Sequence, residues 1–167
     1  VYDSANRLIS AGGNTYTYNV EDVRVHNLCG ESETTYAYNT NGRLSQLLVK
    51  TTDGVITKYV YGLGLIGEET SGSFKTYHFD YRGSTAAITD INGNVTDTFE
   101  YDTYGNLVSR TGTSAVIFLY NGRDGVVTDS NGLIYMRARY YSPELRRFIN
   151  ADIIAGEISN AVTLNRY

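Results

Sequence analysis

The sequence predicts an all-β fold, a curved meander of antiparallel β-hairpins ending in a short helical or irregular C-terminal segment. Three observations predict it. Tyrosine recurs at intervals of about twenty residues, usually followed by Asp, Asn or another small polar residue and then a turn; a period of this size marks one supersecondary unit copied along an array. Asx-Gly dipeptides punctuate the chain at Asn41-Gly42, Asp53-Gly54, Asn92-Gly93, Asn121-Gly122, Asp124-Gly125 and Asn131-Gly132. Such pairs tolerate the positive φ that two-residue type I′ turns require. Between the turns, apolar and polar residues alternate with the period of a strand.

The elements follow in chain order. Tyr2-Asp3 through Leu8 is one copy of the unit, Tyr16-Thr17-Tyr18-Asn19 a weaker one, and Tyr36-Ala37-Tyr38-Asn39 through Leu44 a third. In the next stretch Leu44, Gln46 and Leu48 oppose Ser45, Leu47 and Val49, so both faces of the predicted strand carry apolar groups. Val55, Thr57, Tyr59 and Tyr61 share one face of a strand that runs to Gly62. Tyr77-His78-Phe79-Asp80 is a further copy. Val95, Asp97, Phe99 and Tyr101 share a face in the clearest copy, Phe99 through Leu107, and Leu119-Tyr120-Asn121-Gly122 is a last echo. Two strands of about eight residues and two turns account for the period.

The C-terminal stretch differs. Leu133 through Tyr141 alternates like a strand, with Tyr135, Arg137, Arg139 and Tyr141 on one face as a ladder suited to cation–π contact or carboxylate pairing. Ser142-Pro143-Glu144 reads as a helix start, with a serine N-cap, proline at the first helical position and an acid in the first turn. A helical turn through Leu145-Arg146-Arg147-Phe148 is expected, then a polar irregular tail.

Composition narrows the function classes. The 167 residues suffice for one domain and include 16 Tyr, 17 Gly, one Pro, one Met and no Trp. The net charge of −4 argues against a nucleic-acid partner. One cysteine, Cys29, excludes an intrachain disulfide framework. No apolar run reaches the roughly 18 residues of a membrane span, and no signal peptide is expected. The chain reads as an internal piece of something longer. His26 and His78 lack companions at metal-ligand spacing, so no metal and no cofactor is expected. Asp90 through Asn94 and Asp129 through Gly132 look faintly like calcium loops, but hairpin turns explain both better. Cys29 has no evident activating base. The tyrosines read as structural ladders, with an aromatic platform for carbohydrate as the sharper alternative.

The tyrosine-led units resemble YD repeats, also called Rhs repeats. Tyr77 through Thr85 is similar to that family's YH-x-D-x-x-GS element. Arg137-Ala138-Arg139-Tyr140-Tyr141-Ser142-Pro143-Glu144, continuing to Arg147-Phe148 and Asp152, resembles the Rhs repeat-associated core, with Arg146 at its usual glycine and Ile153 at its usual proline. The resemblance implies residues 1–132 as repeats and 133–167 as a partial core segment. It implies part of a β-shell, found in bacterial Rhs and cell-wall-associated proteins, insecticidal toxin-complex components and animal teneurins.

In the bacterial members the shell encloses a C-terminal effector, and the implied localisation is secreted or at the cell envelope. In several members the core is an aspartyl autoprotease. The resemblance places Asp152 as its first acid and Arg139 as its arginine, and puts the second acid beyond Tyr167. An aspartyl site needs two carboxyls, so the chain by itself is not expected to be an enzyme. Glu157 is the alternative second acid, and Arg137 or Arg147 the alternative partner of Asp152. The structural alternative for Asp152 and Arg139 is an ion pair pinning the plug to the sheet. The expected partners are the rest of the same polypeptide, carbohydrate, and a second copy through exposed strand edges.

Overall fold

The computed structural model describes residues 1–42 and 44–152. Its repeats form one open antiparallel sheet of eleven strands in sequence order. These are β1 Ser10–Ala11, β2 Asn14–Tyr18, β3 Arg24–Cys29, β4 Ser32–Asn39, β5 Gln46–Thr52 and β6 Val55–Tyr61. The sheet continues with β7 Leu65–Thr70, β8 Ser73–Phe79, β9 Thr85–Thr89, β10 Val95–Tyr101 and β11 Leu107–Thr111. A second, four-stranded sheet holds β12 Val127–Thr128, β13 Ile134–Met136, β14 Arg139–Ser142 and β15 Arg147–Phe148. The meander predicted from the alternation is present, and the C-terminal segment lies against one face of the large sheet, here called the inner face.

The aromatic pairs Tyr16/Tyr18, Tyr36/Tyr38, Tyr59/Tyr61, Tyr77/Phe79 and Phe99/Tyr101 line that face on the even-numbered strands. In each case the register shifts just before the second aromatic, so that Tyr18 pairs with Arg24, Tyr38 with Leu47, Tyr61 with Leu65, Phe79 with Thr85 and Tyr101 with Leu107. The odd-numbered strand carries one extra residue at each shift: Val25, Leu48, Ile66, Ala86 or Val108. A β-bulge in the same place in every unit bends the sheet in the same sense each time and adds twist. The bulge also explains why β5 is apolar on both faces. Leu47 is buried at 1% exposure, while its neighbour Leu48 turns outward at 39%.

A loop type recurs after most of the second aromatics. In residues 80–84, Asp80 Oδ1 accepts the N–H groups of Arg82 (2.9 Å) and Ser84 (2.8 Å), and Gly83 takes a positive φ. The Asp80 N–H donates to the Ser84 carbonyl and the Gly83 N–H to that of Asp80. The loops at Asp3, Asn19, Asp90 and Asp102 repeat the pattern, with Asn6, Asp22, Gly93 and Gly105 at positive φ. This is the physical sense of an aromatic followed by Asp or Asn. The ring fills the inner face, and the next side chain satisfies two turn amides.

Several expectations need correction. Type I′ geometry, with both central φ positive, is found at Asp53-Gly54, Gly12-Gly13 and Ser71-Gly72, and not at Asn92-Gly93 or Asn131-Gly132, where only the glycine has positive φ. The latter two belong to the longer Asx loops, because the Asx two or three positions earlier sets the turn. Leu119-Tyr120-Asn121-Gly122 does not open another hairpin. Its segment turns onto the inner face and ends in a 3-10 turn at Gly122–Asp124. The Arg/Tyr ladder is interrupted, because Arg137 takes φ 59° in the tight turn between β13 and β14 and sets Tyr135 opposite Tyr140. Ser142 does not start a helix. Its Oγ accepts the Leu145 N–H at 3.2 Å, as an N-cap would, but Arg146 turns left-handed at φ 57° and the chain returns as β15.

Candidate functional site

The C-terminal segment is seated on the inner face at two places. The first is Gly83-Ser84-Thr85. The Gly83 carbonyl accepts the Arg123 N–H at 3.0 Å, Ser84 Oγ accepts the Asn121 N–H at 3.1 Å, and Thr85 Oγ1 donates to the Phe118 carbonyl at 2.7 Å. Phe118, fully buried, then packs edge-on against Tyr59 and Tyr77, with centroids 4.9 and 6.4 Å away. The GS-T element thus receives the inward-turned segment.

The second place is Arg24, which the bulge in β3 sets opposite Tyr18 and which is fully buried. Its guanidinium lies 4.4–5.8 Å from the ring centroids of Tyr16, Tyr36, Tyr135 and Tyr140. One Nη1 donates to Asp129 Oδ2 at 2.6 Å and to the Tyr140 hydroxyl at 3.0 Å. Burial is the largest single influence on Arg24 and lowers its affinity for its proton, but the charge on Asp129 together with the Tyr140 and Tyr36 hydroxyls outweighs burial and holds the guanidinium protonated. Burial pushes the Tyr140 and Tyr16 hydroxyls well above the ordinary phenol range, so they remain neutral as they accept from Arg24 and Asn131.

Asp129 begins an Asx loop like those of the repeats, with its N–H on the Leu133 carbonyl and the Gly132 N–H on its own carbonyl. Here, however, Asn131 Oδ1 accepts the Leu133 N–H, which leaves the Asp129 carboxylate for Arg24. Two repeat-derived parts have been joined into a lock between plug and wall. Sequence reading placed Asp129 in a turn, and missed Arg24 and the pairing. Arg24 stands where the other units carry Leu or Thr, and that substitution was the available signal.

The residues singled out by the family resemblance meet at the other end of the plug. Arg139 Nη1 lies 3.0 Å from Asp152 Oδ2, both part-exposed, and its guanidinium sits 3.6 Å from the Phe148 ring centroid. The backbone leading to Asp152 is clamped. Asn150 Oδ1 accepts the Tyr140 N–H at 2.8 Å, its Nδ2 donates to the Ala138 carbonyl at 3.2 Å, and Asn6 Nδ2 donates to the Ala151 carbonyl at 3.1 Å. The Tyr2 hydroxyl donates to the Ile149 carbonyl. Of the alternative partners for Asp152, Arg137 instead bonds the Asp124 and Ser45 carbonyls. Glu157 lies outside the described residues. His26 pairs with Glu33 at 2.9 Å and His78 with Thr89 at 3.0 Å, each across a strand pair. Cys29 accepts a contact from Ser130 Oγ at 3.5 Å.

No family model matches the chain. It is 28% identical over 159 residues to the tRNA3(Ser)-specific nuclease WapA of Bacillus spizizenii, across 92% of this chain and 7% of that protein. It is also 28% identical over 197 residues to the tRNA nuclease WapA of Bacillus subtilis, across 99% of this chain and 8% of that protein. The chain therefore spans less than a tenth of the length of these curated relatives. Among solved structures, the TcdB2-TccC3 crystal structure matches with a TM-score of 0.64 at 19% identity, over 92% of this chain and 8% of that one. The Photorhabdus luminescens Tc holotoxin pore matches with a TM-score of 0.68 at 18% identity, with the same coverage.

Proposed function

We propose that this chain, which carries YD (Rhs) repeats, is a wall-and-plug segment of a larger bacterial β-shell that encloses or presents a C-terminal effector. The observation that carries this reading is the Arg24–Asp129 lock, a buried 2.6 Å ion pair that fastens the C-terminal plug to the inner face of the repeats across 105 residues. The role is steric. Backbone ladders make the wall, aromatic pairs fill its inner face, and the plug covers them. The main partner is the remainder of the same polypeptide, residues 1–132 serving as repeats and 133–167 as part of the core. The place of action is outside the cell or at its envelope. Limited proteolysis of the full natural chain tests this. The segment beyond the core should resist cleavage that readily degrades the same segment expressed alone, and equal rates would exclude enclosure.

A second reading is self-cleavage at the core, supported by the 3.0 Å Arg139–Asp152 contact beside a clamped backbone. Arg139 would hold Asp152 in place for a second carboxyl supplied from further along the chain. Intact mass of the full chain decides it. Release of a C-terminal fragment, abolished in Asp152→Asn and Arg139→Ala, supports the reading, and a single uncut mass removes it. For carbohydrate, the exposed rings of Tyr81 and Tyr104 offer the platform, since the paired repeat tyrosines face inward.

A further inference from the structure

On the inner face beside the plug lies a cavity of about 220 Å³ lined by Asn27, Thr34, Lys50, Thr52, Thr128 and Ser130, and by Asp129, whose carboxylate is taken up by Arg24. The register of β4 and β5 sets Lys50 opposite Tyr36, between the aromatic rows. Its ammonium makes no ion pair and no side-chain hydrogen bond among the described residues. Glu68, whose charge favours the Lys50 ammonium, is engaged by the Tyr77 hydroxyl at 2.8 Å and lies 3.8 Å from Lys75. Burial lowers the Lys50 pKa and outweighs the opposing charge of Glu68, so the ammonium is held in a setting that has withdrawn more water than its counter-charge replaces. Two further groups in the wall lack partners. Asn27, 8% exposed, has a buried and unbonded Oδ1, and the Thr128 hydroxyl is also buried and unbonded. Thr34 and Thr52 join hydroxyls at 3.0 Å across the floor.

The chemistry of this set is specific. A half-buried ammonium asks for an anionic oxygen, and Asn27 Oδ1 asks for a donor. We propose that this cavity binds a carboxylate ligand that also carries an N–H or O–H donor, with Lys50 taking the carboxylate, Asn27 the donor, and the Thr128 hydroxyl either. Two sources present that chemistry in a space of this size: an acidic amino-acid residue with its amide, and a uronic acid with its hydroxyls. The site stands independently of enclosure or cleavage.

NMR titration of the chain, following the Lys50 ε-CH2 resonance, tests this. The probes are N-acetyl-glutamate N-methylamide, its glutamine counterpart, glucuronate and acetate. Saturable shifts with the glutamate compound or glucuronate, about tenfold tighter than with acetate or the glutamine compound, are expected, and the tighter of the two identifies the source. Lys50→Met, which keeps the stem's packing, should weaken that binding about tenfold or more while leaving the remaining spectrum in place. Asn27→Leu should reduce the preference over acetate. The proposal is overturned by the absence of a saturable shift at about 50 mM probe, or by equal affinity in the Lys50→Met protein.

Discussion

At the scale of single residues, the energetics concentrate at Arg24. Removing one member of a buried ion pair strands the other charge, and the cost is about 3–5 kcal/mol. Asp129→Asn should lower stability by about that amount in urea unfolding, whereas Arg7→Gln, in the part-exposed pair with Asp3, should change it far less. Comparable losses at the two sites would refute the lock. Arg146 gives a second test. It holds φ 57°, a conformation that costs a non-glycine residue about 1 kcal/mol, and its guanidinium lies 4.4 Å from the Tyr104 ring centroid. Arg146→Ala keeps the backbone cost and loses the ring contact; Arg146→Gly loses both. The glycine variant should therefore be more stable than the alanine variant by about 1 kcal/mol, a difference that a pair of denaturation curves resolves.

At the scale of the element, the repeated bulge makes adjacent residues unequal. Leu47→Ala should cost about 2–5 kcal/mol, and Leu48→Lys within about 0.5 kcal/mol of zero. Similar effects would mean that the register shift between Ala37 and Tyr38 is absent.

The Asx loops confer a pH dependence. The carboxyl of Asp3 is held below its usual range first by the Arg7 amide, that of Asp90 by the Asn94 side chain and that of Asp102 by the Asn106 side chain. A depressed folded-state pKa contributes stability above the unfolded value, and that stability is lost as pH falls through the folded one. Urea midpoints should fall below about pH 4, and the fall should flatten in Asp90→Asn/Asp102→Asn, since asparagine serves the same loop at Asn19. An unchanged acid slope in the double variant would contradict this account.

These elements also show what the sequence makes legible. Period-two alternation and aromatic spacing disclose the meander because each strand buries one face. The bulges stay hidden because an inserted Leu, Ile or Val looks like any strand residue; only pairing reveals that it faces outward. The Ser142-Pro143 start was a genuine cap signal, overridden three residues on by a left-handed Arg146 that the plug requires for β15 to return. The Arg139–Asp152 contact was legible through the core motif. The Arg24–Asp129 lock was not, because its members lie in different repeats and meet only once the plug is seated.

At the scale of the whole molecule, the large sheet ends in β11, whose residues are all exposed, with Val108 at 62%. We expect the chain to self-associate through this edge. Light-scattering-coupled gel filtration should show oligomers that dissociate in Val108→Lys, and a concentration-independent monomer would rule the edge out.

The lock has a consequence for synthesis. Arg24 leaves the ribosome 116 residues before Tyr140, and 105 before Asp129. At about 5–20 residues per second that is an interval on the order of ten seconds. During it, the first hairpins display an uncovered aromatic face with a cation at its centre. The nascent wall is thus sticky for as long as its stopper is unwritten, and the stretch of translation up to Tyr140 is when a chaperone has most to offer.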